Sequence, residues 1–239
     1  MRCCRLWVNW VGLLLGILSV GVEQGRAQDQ SAQVRSAARI PIQAVPPGIR
    51  ERLRPVLSQP TLYGHGPAEL FAGRADLYCW LLTNPDQALR AWQRLGAKCA
   101  DIRSLGGGKY SWKDGHGSEI HWQVVLNDAS LCVWFAEGKV RPGLFLPAVP
   151  VRVVLVLRHS DHSDSSERTL IYHQADVFLK TESKTAALAT QMLGASAPKA
   201  AEQGLRQLEL FFSGLVWYAY QHPERVADLF PSNNLETIR

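Results

Sequence analysis

The spacing of hydrophobic residues divides the chain into a helical stretch, a strand-rich stretch and a second helical stretch. Leu77 and Leu81, and then Leu89 and Trp92, recur at three- and four-residue intervals. This spacing predicts two helices, over residues 69–82 and 86–95, each with one buried face. The residues between them include Pro85, which removes a backbone N–H and disfavours a helical conformation in the residue before it.

Between residues 98 and 182 the hydrophobic positions alternate with polar ones, which is the period of a strand with one buried face. In the clearest example, Ile120, Trp122, Val124 and Leu126 share one face. We predict strands near residues 109–113, 120–126, 131–137, 151–158 and 169–180, joined by turn-rich segments. Short connections between consecutive strands predict an antiparallel meander, since a parallel pair needs a crossover of about a dozen residues.

After residue 184 the helical period returns, first over residues 185–193 and then over a longer helix at 197–221. Ser196 can cap the long helix, Pro198 suits its first turn, and His222-Pro223 ends it. The apolar stripe of this helix requires an apolar surface to cover it, and the inward face of the sheet is that surface.

The order of helix pair, meander and long final helix resembles the START-like superfamily, also called the polyketide cyclase or helix-grip fold, over about residues 60–222. The resemblance rests on the segment 77–82, on Ala91-Trp92, and on the strands and amphipathic helix that follow. It implies an α+β domain in which a curved sheet wraps the C-terminal helix around an apolar cavity. The family also has a strand before the helix pair, and residues 61–63 are the candidate for it.

Alternation within the strands assigns one set of residues to the inward face, opposed by the final helix. These residues line the cavity if one exists; the alternative is that they fill a solid core. Within the set, His173 could orient a polar ligand group or carry a proton, or it could be a core histidine bonded to a neighbour. The set is Tyr110, Trp112, Trp122, Val124, Val133, Phe135, Val153, Leu155, His173, Val177, Phe211 and Leu215.

The first 27 residues have the three parts of a secretory signal. Arg2 and Arg5 precede an apolar stretch over residues 6–22, and the small residues Gly25 and Ala27 occupy positions −3 and −1 of a cut after Ala27. An uncleaved membrane anchor is the alternative. We therefore predict an exported protein, periplasmic or extracellular, or one tethered by its N-terminus. We further predict a flexible linker at 28–54, one domain at 55–226 and a tail at 227–239.

Charge and composition narrow the range of partners. The formal net charge is +5, but the first 27 residues contribute +2 of it, and no basic run interrupts the remainder. We therefore expect no nucleic acid partner. The predicted hairpin loop at 160–167, with the residue before it, offers two imidazoles and two carboxylates, but two histidines alone do not make a rigid zinc site in a solvated loop. These residues are His159, Asp161, His162 and Asp164. We predict no metal and no cofactor. Three cysteines follow the leader, with their pairing left open: Cys79, Cys99 and Cys132.

These observations lead to one leading functional hypothesis and two alternatives. The leading one is an exported, non-enzymatic domain that holds an apolar or amphipathic small molecule, such as a lipid, between the sheet and the final helix. The second is an interaction module with a solid core, which contacts a membrane or envelope partner through the apolar, proline-containing segment 143–150. The third is a cyclase or isomerase type of enzyme that uses His173 as acid or base.

Overall fold

The computed structural model describes residues 25–99, 101–114, 116–141, 147–163, 168–183 and 196–230. Short 3-10 turns lie at Ile42–Ala44 and Pro223–Arg225. The helices are α1 (Gly25–Ala38), α2 (Pro47–Ser58), α3 (Ala75–Thr83), α4 (Pro85–Arg94), α5 (Ser196–Gln221) and α6 (Val226–Leu229). The strands are β1 (Leu62–His65), β2 (Glu69–Ala72), β3 (Ile102–Gly106), β4 (Lys109–Lys113), β5 (Glu119–Asn127), β6 (Leu131–Val140), β7 (Val149–Ser163) and β8 (Thr169–Thr181).

All strands belong to one antiparallel sheet in the order β1-β8-β7-β6-β5-β4-β3, and β2 extends the β1 edge along β8. β3 to β8 form the predicted meander, and α5 packs against one face of the sheet. The predicted α+β, helix-grip-like architecture is therefore confirmed. We call the face toward α3, α4 and α5 the inner face, and the opposite one the outer face.

The edge next to β8 contains two short strands where the sequence analysis predicted one strand and the start of a helix. The candidate strand at 61–63 is β1, but residues 69–72 form β2 and the helix begins only at Ala75. The prediction of a helix from residue 69 was wrong. β8 has 13 residues, and without β2 the backbone groups at its N-terminal end would lack partners on this edge.

The hairpin between β7 and β8 is longer than predicted. Residues 160–163 continue β7 instead of forming a loop, and His159 pairs with His173 while Ser163 pairs with Thr169. His159 and His162 therefore lie on opposite faces of one strand. Backbone pairing with β8 keeps this polar segment extended, although its side chains carry no hydrophobic alternation.

The outer face is covered by α1 and α2, which overlap most of the region predicted as a flexible linker (28–54). Leu53 and Val56 of α2 are fully buried and pack in a cluster with Phe135, Val154 and Phe178 of the sheet. The structure thus differs from the linker prediction, because the strands present apolar side chains on both faces and need a second cover. At the other end, Phe230 is buried and contacts the Trp80 ring at 5.7 Å, so the packed domain extends into the predicted tail.

A buried ionic cluster fastens α1 to the outer face. The carboxylate of Asp176 accepts hydrogen bonds from Ser36 Oγ at 2.7 Å and from the Tyr63 hydroxyl at 2.8 Å, and it forms ion pairs with Arg158 and His65. Burial alone would raise the pKa of Asp176, but these contacts outweigh it and lower that pKa.

Among the described residues, no helix is both long enough and apolar enough to cross a bilayer.

Candidate functional site

The inner face consists of cross-strand rows in which directly paired residues point to the same side. One row runs through Leu62, Leu179, Val153, Ala136, Trp122 and Tyr110. The row on its α5 N-terminal side runs through Thr181, Val151, Gly138, Ile120 and Trp112. At the opposite end a polar row joins Glu69, His173 and His159. The inner face is thus apolar at one end and polar at the other.

All but two of the predicted inward residues lie on the inner side: Tyr110, Trp112, Trp122, Val124, Val153, Leu155, His173, Val177, Phe211 and Leu215. Val133 and Phe135 are the exceptions, because they pack on the outer face against α2. Their assignment to the inward face was wrong. The register pairs Trp122 with Ala136 and Val124 with Trp134, which places Trp134 and Ala136 on the inner face instead.

Alternation assigned the wrong face to residues of β6 because both faces of this strand are buried. Five consecutive residues, from Leu131 to Phe135, are all buried, so the sequence carries no polar position to mark the outer side. The pairing with β5 also shifts between Val124 and Leu126. The sequence analysis therefore missed the inner residues Trp134 and Ala136, which their pairing with β5 and β7 identifies.

Four aromatic rings form a wall across the inner face. The rings of Tyr110 and Trp122 stack at 5.6 Å, those of Trp122 and Trp134 stack at 6.4 Å, and Trp134 meets Phe212 of α5 edge-on at 5.9 Å. The polar ends of two of these side chains are bonded to the end of α3: Tyr110 donates to the Thr83 carbonyl at 2.6 Å, and Trp134 Nε1 donates to Leu82 at 3.1 Å. The wall is therefore rigid and fixed to the helix pair.

Next to this wall, the inner face has an apolar floor that is not fully covered. We define the floor as the partly buried, inward-facing hydrophobic residues Ile120, Val124, Ala136, Val153 and Leu179. In contrast, Leu155 and Val177 on the same strands are 4% and 2% exposed. The floor extends toward the end of the sheet where β6 connects to β7 and where β8 connects to α5. It combines an apolar surface, large rigid rings and residual accessibility, which is the composition of a small-molecule site.

Trp112 adds a polar group at this end of the inner face. Its side chain is buried, and its Nε1 finds no hydrogen-bond partner in the described part of the chain. The indoles of Trp92 and Trp134, by comparison, donate to the carbonyls of Phe211 and Leu82. A buried N–H without a partner is uncommon in folded proteins and indicates either strain or a missing partner.

At the polar end, His173 is held between two partners. Its Nδ1 lies 3.0 Å from the Tyr78 hydroxyl, and its Nε2 lies 3.5 Å from Glu69 Oε2. Burial lowers the pKa of His173 more than Glu69 raises it, so the ring is neutral at neutral pH. Because both nitrogens already have protein partners, the histidine serves as a cross-link between β8, α3 and β2. Neither nitrogen can act on a substrate unless its present contact is first broken.

Glu209 of α5 inserts a carboxyl group at the break between β1 and β2. Its Oε1 accepts a hydrogen bond of 2.8 Å from the Ala175 backbone N–H, which the broken edge strand leaves without a backbone acceptor. A Cβ on Gly66 would lie 2.9 Å from that oxygen, so glycine is needed for this approach. Burial, followed by the repulsion of Glu69 and Asp176, raises the pKa of Glu209 to about 8. The carboxyl group is therefore protonated at neutral pH.

Sequence reasoning did not single out Glu209, although a signal was present. The residue lies four positions after Leu205 and three before Phe212, inside the apolar stripe of α5. A glutamate in such a stripe must find a buried partner or remain protonated. The stripe alone could not tell that its partner is a backbone N–H at a strand break.

The thiols on the inner side are not activated. Cys79 Sγ lies 3.8 Å from Nδ1 of His159, but burial raises the pKa of Cys79 and lowers that of His159, so both groups are neutral. Burial also raises the pKa of Cys132 to about 12. Neither cysteine has the depressed pKa of a catalytic thiolate.

The described ranges contain no candidate metal site: no group of three or more histidine, cysteine or carboxylate side chains there could hold a metal ion. Asp164, which the sequence analysis considered with His159 and His162, lies outside the described residues. So do residues 143–146 of the apolar segment 143–150; Val149 and Pro150 begin β7. A surface depression of about 320 Å³ lies over the outer face, lined largely by charged side chains such as His121, Arg152 and Lys180.

Known proteins resemble the chain only in structure. No protein-family model and no curated protein matches it. A conserved protein from Geobacillus kaustophilus is 15% identical, with a TM-score of 0.43, over 66% of this chain and 97% of that one. The di-domain ARO/CYC BexL from the BE-7585A biosynthetic pathway is 16% identical, with a TM-score of 0.40, over 81% of this chain and 58% of that one. Ara h 8.0201 is 13% identical, with a TM-score of 0.38, over 67% of this chain and 99% of that one. These values add no argument about a ligand or an activity.

Proposed function

We propose that the protein binds an apolar or amphipathic small molecule between the apolar floor of the inner face and α5, and that it does not transform this molecule. The observation that carries the proposal is the contrast within the inner face. The floor residues keep part of their surface accessible, whereas the adjacent residues Leu155 and Val177 are closed. A core that served only for stability would gain by closing the floor as well.

The expected affinity follows from the area that a ligand would cover. At about 25 cal/mol per Å² of apolar surface, burying roughly 400 Å² of protein and ligand surface stabilises the complex by about 10 kcal/mol before the cost of immobilising the ligand. That cost is at least about 4 kcal/mol. The dissociation constant then falls in the range of roughly 40 µM to 1 mM for a ligand of two fused rings, and it decreases for larger ligands.

Filling the floor tests the proposal. Ala136 lies in the middle of the row between Trp122 and Val153, so Ala136→Phe places a ring in the proposed space, while Ala136→Ser keeps the space open. We expect the wild type and the serine variant to enhance the fluorescence of N-phenyl-1-naphthylamine, and the phenylalanine variant to lose at least about tenfold in affinity. Circular dichroism melting must show that both variants are folded.

Two results would contradict the proposal. The first is a wild-type protein that does not bind the dye and carries no co-purified lipid when its organic extract is examined by mass spectrometry. The second is a folded Ala136→Phe variant that binds as the wild type does. Loss of binding in the serine variant as well would assign the effect to local disruption instead of filling.

Export is part of the same proposal and rests on the N-terminal sequence. A cut after Ala27 would leave Ser36, which bonds to Asp176, and the whole of α2 in the mature chain. The cut itself falls in the first turn of α1, which begins at Gly25. The test is cell fractionation of the full chain followed by mass measurement of its N-terminus; a protein that stays in the cytoplasm with Met1 or Arg2 first would contradict export.

A further inference from the structure

We infer that the Trp112 indole N–H is the hydrogen-bond donor for a neutral acceptor group of the bound molecule, such as a ketone, ester or ether oxygen. This inference rests on the proposed function, because it requires a ligand on the apolar floor. It adds the polar contact that orients the ligand and the chemical class of its head group.

The position of Trp112 supports this role. It lies on β4, paired with Ile102 on one side and with the floor residue Ile120 on the other. Beyond Ile120 the row continues to Gly138, where the β6 backbone approaches β5 so closely that a Cβ would collide with the Glu119 carbonyl oxygen. Trp112 is buried, and Nε1 has no acceptor in the described part of the protein. An acceptor atom supplied by a ligand would therefore remove the cost of a buried, unbonded donor.

The charges around this end favour a neutral head group. Most of the floor lies in two rows, one from Tyr110 to Leu62 and one from Trp112 to Thr181. These rows contain no ionisable side chain except the tyrosine. Lys113 and Glu119 are next to these rows in sequence, but they pair with one another at 2.9 Å with side chains 66% and 43% exposed. A carboxylate beside Trp112 would thus lose its hydration without gaining a cation, which is strongly unfavourable.

Three naphthalene derivatives of nearly equal shape separate the polar contact from apolar burial: 2-acetylnaphthalene has an acceptor oxygen, 2-ethylnaphthalene has none, and 2-naphthoate is anionic. Their affinities are measured by isothermal titration calorimetry on the wild type, on Trp112→Phe and on Trp134→Phe. Phenylalanine at position 112 keeps a ring and removes the donor. Trp134→Phe is the matched control, since Trp134 belongs to the same wall and its N–H already donates to the Leu82 carbonyl.

We expect Trp112→Phe to weaken binding of 2-acetylnaphthalene about three- to tenfold more than binding of 2-ethylnaphthalene. Trp134→Phe should weaken binding of both compounds by the same factor. The wild type should bind 2-naphthoate more weakly than 2-acetylnaphthalene. Equal losses for both neutral compounds in Trp112→Phe, or a preference of the wild type for the anion, would overturn the inference.

A second measurement needs no variant and covers the case in which Trp112→Phe does not fold. In nitrogen-15 spectra of the wild type, 2-acetylnaphthalene should move one indole N–H resonance that 2-ethylnaphthalene leaves in place; identical spectra with the two compounds would reject the inference. If neither neutral compound binds the wild type, the proposed function itself fails. If both bind without the predicted difference, only the role of Trp112 fails.

Discussion

Replacement of Glu209 by glutamine should remove a specific pH dependence of stability. In the folded protein the carboxyl group keeps its proton until about pH 8, compared with 4.5 for an ordinary glutamate. Between these two values the folded state binds more protons than the unfolded state, so the free energy of unfolding decreases as the pH rises. The stabilisation is fully present below pH 4.5 and is lost as the pH rises to about 8.

The magnitude follows from the width of this window. Each pH unit between 4.5 and about 8 contributes about 1.4 kcal/mol, which amounts to at most about 5 kcal/mol in total. Glutamine has nearly the same shape, its carbonyl oxygen can accept the hydrogen bond from the Ala175 N–H, and it cannot ionise. The variant should therefore be close to the wild type at pH 4.5 and more stable by several kcal/mol at pH 8.5.

The assay is urea unfolding, followed by circular dichroism, at five pH values from 4.5 to 9 and constant ionic strength. The difference between variant and wild type isolates Glu209 from all other titrating groups. Glu202→Gln, on the exposed side of the same helix, controls for the change in net charge. If the difference in unfolding free energy between wild type and Glu209→Gln stays constant from pH 4.5 to 9, the prediction is refuted. Glu209 would then ionise in the folded state as it does in the unfolded state.

Three further substitutions test the packing that surrounds the site. Arg158→Ala removes the arginine of the two ion-pair partners of the buried Asp176 carboxylate and should cost about 3–5 kcal/mol in urea unfolding, whereas Arg152→Ala on the same strand, in an exposed pair, should cost at most about 1; equal costs would contradict the buried cluster. Gly66→Ala should lower the unfolding free energy by about 1–3 kcal/mol by displacing the Glu209 carboxyl, and this loss should shrink in a Glu209→Ala background; additive losses would reject that contact. Phe135→Ala should cost about 3–5 kcal/mol and increase hydrogen exchange in α2, and an unchanged α2 would contradict its placement on the outer face.

The main architecture was accessible from the sequence because two clear periods carry it. The alternation around Trp122 marks a strand with one covered face, and the stripe of α5 with its boundary at His222-Pro223 marks a long amphipathic helix. Their order, together with short connections, restricts the topology to an antiparallel sheet packed on a final helix. These features depend only on local pattern, which a single sequence displays.

The helices on the outer face were not predicted because their apolar stripe is short. In α2 only Leu53, Val56 and Leu57 are buried, and Pro55 stands among them. The stronger signal lay elsewhere: β6 and β7 contain runs of hydrophobic residues without polar alternation, such as residues 131–135 and 153–157. Such runs are typical of strands buried on both faces, so they require a cover on each side.

The pairing of distant residues accounts for what the sequence could not supply at the site. Glu69 and His173 are 104 positions apart, and the break between β1 and β2 that brings Glu209 to Ala175 depends on how two short strands share one long neighbour. No local period encodes such a break. The sequence analysis could therefore place His173 on the inner face, but it could not show that both of its nitrogens have partners.

The accessible floor follows from the sizes of residues along a single row. At the β1 and β2 edge, glycines allow α5 to approach closely: a Cβ on Gly64 would lie 2.5 Å from the Ala201 Cβ, so no larger residue fits there. At the far end of the neighbouring row, the rings of Trp122 and Tyr110 rise from the sheet and reach the helix pair through the Thr83 carbonyl. Between Leu179, on the side of the edge that α5 approaches, and the ring of Trp122, the row offers only the small side chain of Ala136 and the medium one of Val153. A continuous core would need a large residue at that point, and its absence is the reason that Ala136→Phe tests the proposed function most directly.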